Sequence, residues 1–266
     1  MYPPSLSYHS TRSGSLPAIS IDPRSFPDTE TTFELGYVPL SQSAKLEDCI
    51  FLNDLPISLP EKFIEIVNRV GDEVLSDDTK SAEWDFSENL VGKVSKEVQI
   101  PLTDEKERKY TLDFMKESCL MYLERMIEKH RSYEWNKMTG VGSPLNLHPS
   151  IDNIHIAQCW LVSQYKNEYN PWHQHSGNFS AVMYLKIPKG MNNFMDKEYE
   201  DHYPSSGLIQ FMYGESQDFR SDTLMCKPEV GKMFLFPSWL RHSVYPFYCE
   251  GERRSLSFNA HYVVRK

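Results

Sequence analysis

The chain has 266 residues, 40% of them hydrophobic and 24% charged, which is enough for one core of ordinary size or two small domains. Its 28 basic and 37 acidic residues leave a formal charge of −9, so no cationic excess favours general nucleic-acid or anionic-membrane binding. Nothing approaches the roughly 18 consecutive apolar residues of a membrane span, and the start, MYPPSLSYHSTRSGSLP, lacks the apolar core of a secretory signal.

In chain order, residues 1–28 carry five prolines and many serines and read as an extended or disordered arm. TTFELGYVPL (31–40) is compatible with a strand. In SLPEKFIEIVNRVGDEVL, Ser58 can cap a helix with Pro60 in its first turn. Phe63, Ile66, Val67, Val70 and Val74 then share one helical face. A longer helix is expected from about Asp104 to Arg131. There Leu112, Met115, Cys119, Tyr122 and Met126 form a stripe that packs on a sheet, and Glu105, Lys106 and Glu107 belong to the solvated face.

After residue 150 the pattern changes to β-branched and aromatic runs broken by turn residues. Strands are expected at 154–165, 180–187, 207–213, 232–237, 242–248 and 253–264, a spacing that suggests a sandwich or jelly roll. Residues 188–206 and 214–227 read as variable loops, and their acidity makes a polyanionic substrate unnatural. There is no internal repeat. The whole reads as α+β, mainly β with helices. Its helical part, about 58–133, packs on a β core, about 150–266, within a single domain spanning 29–266. Five dispersed cysteines (Cys49, Cys119, Cys159, Cys226, Cys249) without a CxxC pair suit a reducing, cytoplasmic setting better than a disulfide framework or a zinc-thiolate site.

The segment NPWHQHSGN holds His173 and His175. Residues i and i+2 of a strand point to one face, so the two rings can converge on one metal. Neutral imidazole suits iron, zinc or copper, and spacing does not choose among them. His242, which follows a Gly turn, an apolar strand and a Pro loop in GKMFLFPSWLRHSVYPF, completes a facial set if its strand lies alongside. Otherwise it is a partly buried histidine bonded to a backbone carbonyl. Arg253 and Ser255 share a face, and a guanidinium beside a hydroxyl is suited to a carboxylate. An inward Arg253 requires an anion, whereas an outward one would pair with Glu250 or Glu252. Because Arg253 and Arg254 are adjacent, one of them is expected to face solvent.

The ordered series HQH, SAVMYLKIP, GLIQF, GKMFLFPSWLRHSVYPF and RRSLSFN resembles the Fe(II)/2-oxoglutarate-dependent oxygenase superfamily. More narrowly it looks like a bacterial and phage branch that carries HxH in place of HxD. NLVGKVSKEVQIP (89–101) resembles a segment upstream of the barrel in that branch, so the likeness covers about 89–101 and 154–263. It implies a double-stranded β-helix (jelly-roll, cupin-like) with N-terminal helices packed on the sheet. It also implies an enzyme that couples decarboxylation of 2-oxoglutarate to oxidation of a substrate by dioxygen.

Carried onto this chain, the resemblance makes His173 and His242 ligands of Fe(II). It assigns the distal carboxylate of 2-oxoglutarate to Arg253 with Ser255, and makes Tyr184 and Tyr165 further pocket residues. Position 175 departs from the usual carboxylate. Either His175 completes a neutral three-His site, holding Fe(II) less tightly for want of a negative charge, or it leaves that position open. Asp152 and Glu168 lack the i+2 placement.

The substrate, a small molecule or a protein side chain, is not named by these residues, and a homodimer stays open. His9 and His130 are expected to be exposed, and His155 and His261 to be hydrogen-bonded core groups. Trp160, Trp172 and Trp239 are expected in the core, with Trp172 or Trp239 alternatively walling the pocket. Two competing readings are a cupin-type three-His metalloenzyme without 2-oxoglutarate, for which Arg253 and Ser255 have no evident use, and a non-catalytic β-helix binding protein.

Overall fold

Apolar side chains at helical spacing lay two helices on one face of a sheet. Helix α1 (Glu61–Leu75) buries Phe63, Ile66, Val67, Val70 and Val74, as its periodicity dictates. It starts after Pro60, which stands at the N-cap with ψ 140° and not inside the first turn. The computed structural model describes residues 59–89, 91–132, 149–192, 205–215 and 221–263. Ser58, the 1–28 arm and the 31–40 strand lie outside them. Helix α2 (Asp78–Glu83) was not expected because DTKSAE has no apolar stripe. It is held by the Asp77 carboxylate, which accepts the N–H groups of Thr79 and Lys80. Helix α3 (Glu105–Ser132) matches its expected span, with Asp104 accepting from the N–H groups of Lys106 and Glu107. No helix among the described residues is long and apolar enough to cross a membrane.

Among the described residues nine strands follow one another as β1 (Lys96–Gln99), β2 (Ile154–Gln164), β3 (Asn170–His173), β4 (Phe179–Lys186), β5 (Ile209–Met212), β6 (Thr223–Cys226), β7 (Met233–Pro237), β8 (Arg241–Val244) and β9 (Arg253–Tyr262). They form two antiparallel sheets, β1-β2-β9-β4-β7 and β3-β8-β5-β6. This is the double-stranded β-helix. The six expected strands are all present. Strands β1 and β3 are additional, and β6 overturns the loop expected at 214–227: TLMC pairs with β5 as the edge of the smaller sheet.

Strand alternation gives the larger sheet two different faces. Phe179, Ala181 and Met183 of β4 and Leu256, Phe258 and Ala260 of β9 join α1 and α3 in the main core. The opposite face looks into the roll, where Tyr184, Phe234 and Phe236 meet Ile209 and Phe211 of the smaller sheet. Pairing sets this inner face out in rows. Gln164 stands beside Arg253, and the next row runs Glu97, Val162, Ser255, Tyr184. Then come Gln99, Trp160, Ser257, Val182, Phe234, and finally Gln158, Asn259, Ser180, Phe236. Successive rows are about 7 Å apart along the strands.

Candidate metal and cosubstrate site

His173 ends β3 and lies directly opposite His242 of β8, which in turn pairs with Phe211 of β5. Their rings are 4.2 Å apart between centroids. The expectation that one strand carries both His173 and His175 fails. The β3–β8 register shifts between Asn170 and His173, and β3 stops at His173. His175 is instead brought in by its backbone N–H, which donates to the Ser238 carbonyl at 2.9 Å. Its ring comes within 5.0 Å of His173 and 5.1 Å of His242, and it lies 5.7 Å from Trp160. Ring nitrogens of the three histidines all lie within 4.8 Å of one another, close enough to hold one metal ion.

The hydrogen bonds of these rings define which nitrogen is free. Nδ1 of His173 is 2.7 Å from the Pro171 carbonyl, and Nδ1 of His242 is 3.0 Å from the Leu240 carbonyl. A carbonyl only accepts, so each Nδ1 carries the proton and each Nε2 presents a lone pair. Burial lowers the pKa of all three rings, that of His175 to about 4 and that of His242 well below the usual value, helped by the neighbouring imidazoles. At neutral pH they are uncharged bases with no proton for a cation to displace.

A buried polar cluster supports the His175 end. Ser180 Oγ is 2.8 Å from Asn259 Oδ1 and 2.9 Å from Ser238 Oγ, and Asn259 Nδ2 donates to Gln158 Oε1 at 3.0 Å. Asn259 Oδ1 can only accept, so Ser180 donates to it and receives from Ser238.

At the other end of the inner face Arg253 is only 1% exposed. Its Nε donates to Gln164 Oε1 at 3.1 Å, its Nη2 to the same oxygen, and its Nη1 to the Gly207 carbonyl at 2.8 Å. Gly207 has φ +71°, the left-handed region, and this turns its carbonyl toward the guanidinium. Burial lowers the guanidinium pKa to about 10, offset in part by Tyr184 and Glu168. The Tyr184 hydroxyl, in the next row, is buried and has no hydrogen-bond partner among the described residues. Burial pushes its pKa up.

The expectation that one of the two adjacent arginines faces solvent fails too. Arg254 is also buried, on the face under α1, because the sheet is covered on both sides. It pairs with Glu252 at 2.6 Å, one of the two acids expected for an outward Arg253, and with Asp72 at 2.7 Å. Glu250 reaches Lys166 instead.

Other residues fall as follows. Ser255 is buried in the Tyr184 row, whereas Tyr165, just past β2, is 44% exposed. Trp160 is buried, but Trp172 and Trp239 are 42% and 41% exposed and are not core residues. His155 and His261 are opposite each other on β2 and β9 and lie outside the three-histidine group. Sequence reasoning missed Gln164 and the Gln158–Asn259–Ser180–Ser238 cluster. The signal was present, since Gln158, Trp160, Val162 and Gln164 alternate along one face of an expected strand.

Residues 158–259 match the family model described as "Putative 2OG-Fe(II) oxygenase". That span contains the three histidines together with Gln158, Gln164, Tyr184, Arg253, Ser255 and Asn259. Over this stretch the chain is similar to the Fe(II)/2-oxoglutarate oxygenases. Among solved structures, EctD carries the same fold. EctD from S. alaskensis, determined with 2-oxoglutarate and 5-hydroxyectoine, is 12% identical with a TM-score of 0.50, covering 81% of this chain and 73% of its own. A prolyl-4-hydroxylase from Pseudomonas putida is 14% identical with a TM-score of 0.44, covering 82% of this chain and 94% of its own. No curated protein sequence matches the chain. Iron and 2-oxoglutarate are the groups named by the family description that this chain matches. Its interior fits both: a converging set of neutral nitrogen donors suits the metal, and an unpartnered phenol beside a buried cation suits a carboxylate.

Proposed function

We propose that His173, His175 and His242 hold Fe(II), and that Arg253, with Tyr184 and Ser255, takes the carboxylate of 2-oxoglutarate remote from the metal. With both bound, dioxygen is consumed, 2-oxoglutarate becomes succinate and carbon dioxide, and a substrate is oxidised. The observation that carries this reading is the pairing of two half-sites in the interior between the two sheets. Three uncharged imidazoles converge at one end, and a buried guanidinium lies beside an unpartnered Tyr184 hydroxyl at the other.

The protein's own contribution is positioning. Carbonyls of Pro171 and Leu240 fix the tautomers of His173 and His242, and aromatic rings of Phe211 and Phe236 pack around His242. Phe247 lies under the Arg253 guanidinium, 5.4 Å from it, and excludes water there. A site of three neutral ligands holds Fe(II) less tightly than one that includes a carboxylate. The exposed Trp172 and Trp239, each next to a residue of the metal end, are the candidates for contact with the substrate. Two buried cysteines outside any disulfide, Cys119 and Cys159, support the cytoplasm as the compartment.

Anaerobic titration with Fe(II) and then 2-oxoglutarate tests the reading. A metal-to-ligand charge-transfer band is expected in the native protein, and it should be lost in His242→Ala and weakened strongly in Arg253→Ala. A native protein saturated with Fe(II) and 2-oxoglutarate that shows no band would overturn it.

A further inference from the structure

Arginine carries five N–H donors in a planar fork. In Arg253 three are bonded, one on Nε and one on Nη2 to Gln164, and one on Nη1 to Gly207. One N–H therefore remains on each terminal nitrogen, the pair that grips a single carboxylate in bidentate fashion. Both acceptors, Gln164 Oε1 and the Gly207 carbonyl, are neutral. The nearest carboxylate with an electrostatic pull on Arg253, that of Glu168, is occupied by the Ser95 hydroxyl and by the Tyr165 N–H at 2.9 Å.

Gln164 is held in this role from its other side. Its Nε2 donates to Asn170 Oδ1 at 3.1 Å, and Asn170 Nδ2 donates to the Val91 carbonyl at 3.1 Å. The amide is thereby oriented with Oε1 toward the guanidinium. Asn170 begins the strand that ends in His173, so the same amide ties the arginine end of the site to the metal end.

We propose that Gln164 is a positioning residue that aims Arg253 at 2-oxoglutarate while leaving its charge free for that dianion. The inference rests on the function proposed above. Glutamate at 164 has the same shape but would neutralise Arg253 through an internal ion pair, in competition with the cosubstrate. An apolar residue would leave Nε and Nη2 unbonded and let the fork turn away from the metal.

The test uses the full chain loaded with Fe(II) without oxygen. The Kd for 2-oxoglutarate is measured by isothermal titration, Fe(II) affinity by chelator competition, and the melting temperature of each variant is recorded. Gln164→Glu should weaken 2-oxoglutarate about a hundredfold. Fe(II) affinity should be unchanged, and the melting temperature equal or higher, a combination that a purely structural role does not produce. Gln164→Met brings no charge inside and keeps the test available should the glutamate variant fail to fold. It should weaken 2-oxoglutarate about tenfold and narrow the preference over the one-carbon-longer 2-oxoadipate. A Kd within threefold of wild type in either folded variant overturns the role of Gln164. Absence of 2-oxoglutarate binding in the wild type, or wild-type binding in Arg253→Met, would instead overturn the proposed function.

Discussion

Arg253 and Arg254 are neighbours in one strand and both are buried, at 1% and 3% exposure, yet their surroundings are opposite in kind. Arg254 lies under α1 with Asp72 and Glu252 as carboxylate partners and the side chain of Asn68 filling the remainder. Gly71 of α1 makes this possible, since a Cβ there would come within 2.7 Å of Leu161 and 3.4 Å of the Arg254 guanidinium. Arg253 has only neutral oxygens around it. A protein that buries a cation with acids has completed it; one that buries a cation with an amide and a carbonyl has left it short of an anion. In the function proposed above the first is a strut and the second is a receptor.

The largest effect should come from separating the two. Arg253→Met should reduce the affinity of the iron-loaded protein for 2-oxoglutarate about a thousandfold while leaving the apo melting temperature within a few degrees, since no carboxylate loses its partner. Arg254→Met should do the reverse. It leaves Glu252 with Ser163 and Lys186 as partners and costs about 2 kcal/mol of stability, kept at this modest size because Asp72 is largely exposed, with 2-oxoglutarate binding intact. Chemical denaturation and titration on the two variants measure both quantities.

Glu97 sharpens the contrast with the opposite charge. It shares an inner-face row with Ser255 and Tyr184 and is 4% exposed, and its Oε1 has no partner among the described residues. Burial, with Asp85 and Glu168 adding repulsion, raises its pKa from 4.5 to about 7. The folded protein therefore keeps a proton that the unfolded chain releases, and stability falls as pH rises from 4.5 to about 7 and levels off above. Glu97→Gln should remove this slope and add on the order of 2 kcal/mol at pH 8 but almost nothing at pH 4.5, as read from urea unfolding at the two pH values.

The smallest effect belongs to groups that are buried, polar and uncharged. Ser180→Ala deletes the centre of the Ser238–Ser180–Asn259 cluster and should cost about 1 kcal/mol in the same unfolding experiment.

What the sequence made legible follows from the two faces of the larger sheet. Strands β2, β4, β7 and β9 were found because their outer residues form unbroken apolar alternation against the helices. Strand β1 was not found, because KEVQ turns a glutamate inward, and β6 was not, because a four-residue edge strand carries little periodicity. Of the site, His173, His242, Arg253 and Tyr184 were readable as residue types in order. His175 converges with the other two rings by a route other than the one expected, since a backbone bond to Ser238 and not strand geometry brings it in. Arg254 was misjudged by assuming a solvated face that α1 covers. Gln164 escaped notice because a polar residue at a strand end looks like the start of a turn.

The central claim is that three rings from β3, the turn beyond it and β8 close on a single ion. X-ray absorption at the iron edge of the anaerobic Fe(II)-loaded protein counts those rings directly. Three imidazole nitrogens are expected in the wild type and two in His175→Ala. Two in both proteins, with water or a carboxylate in the third place, would contradict it.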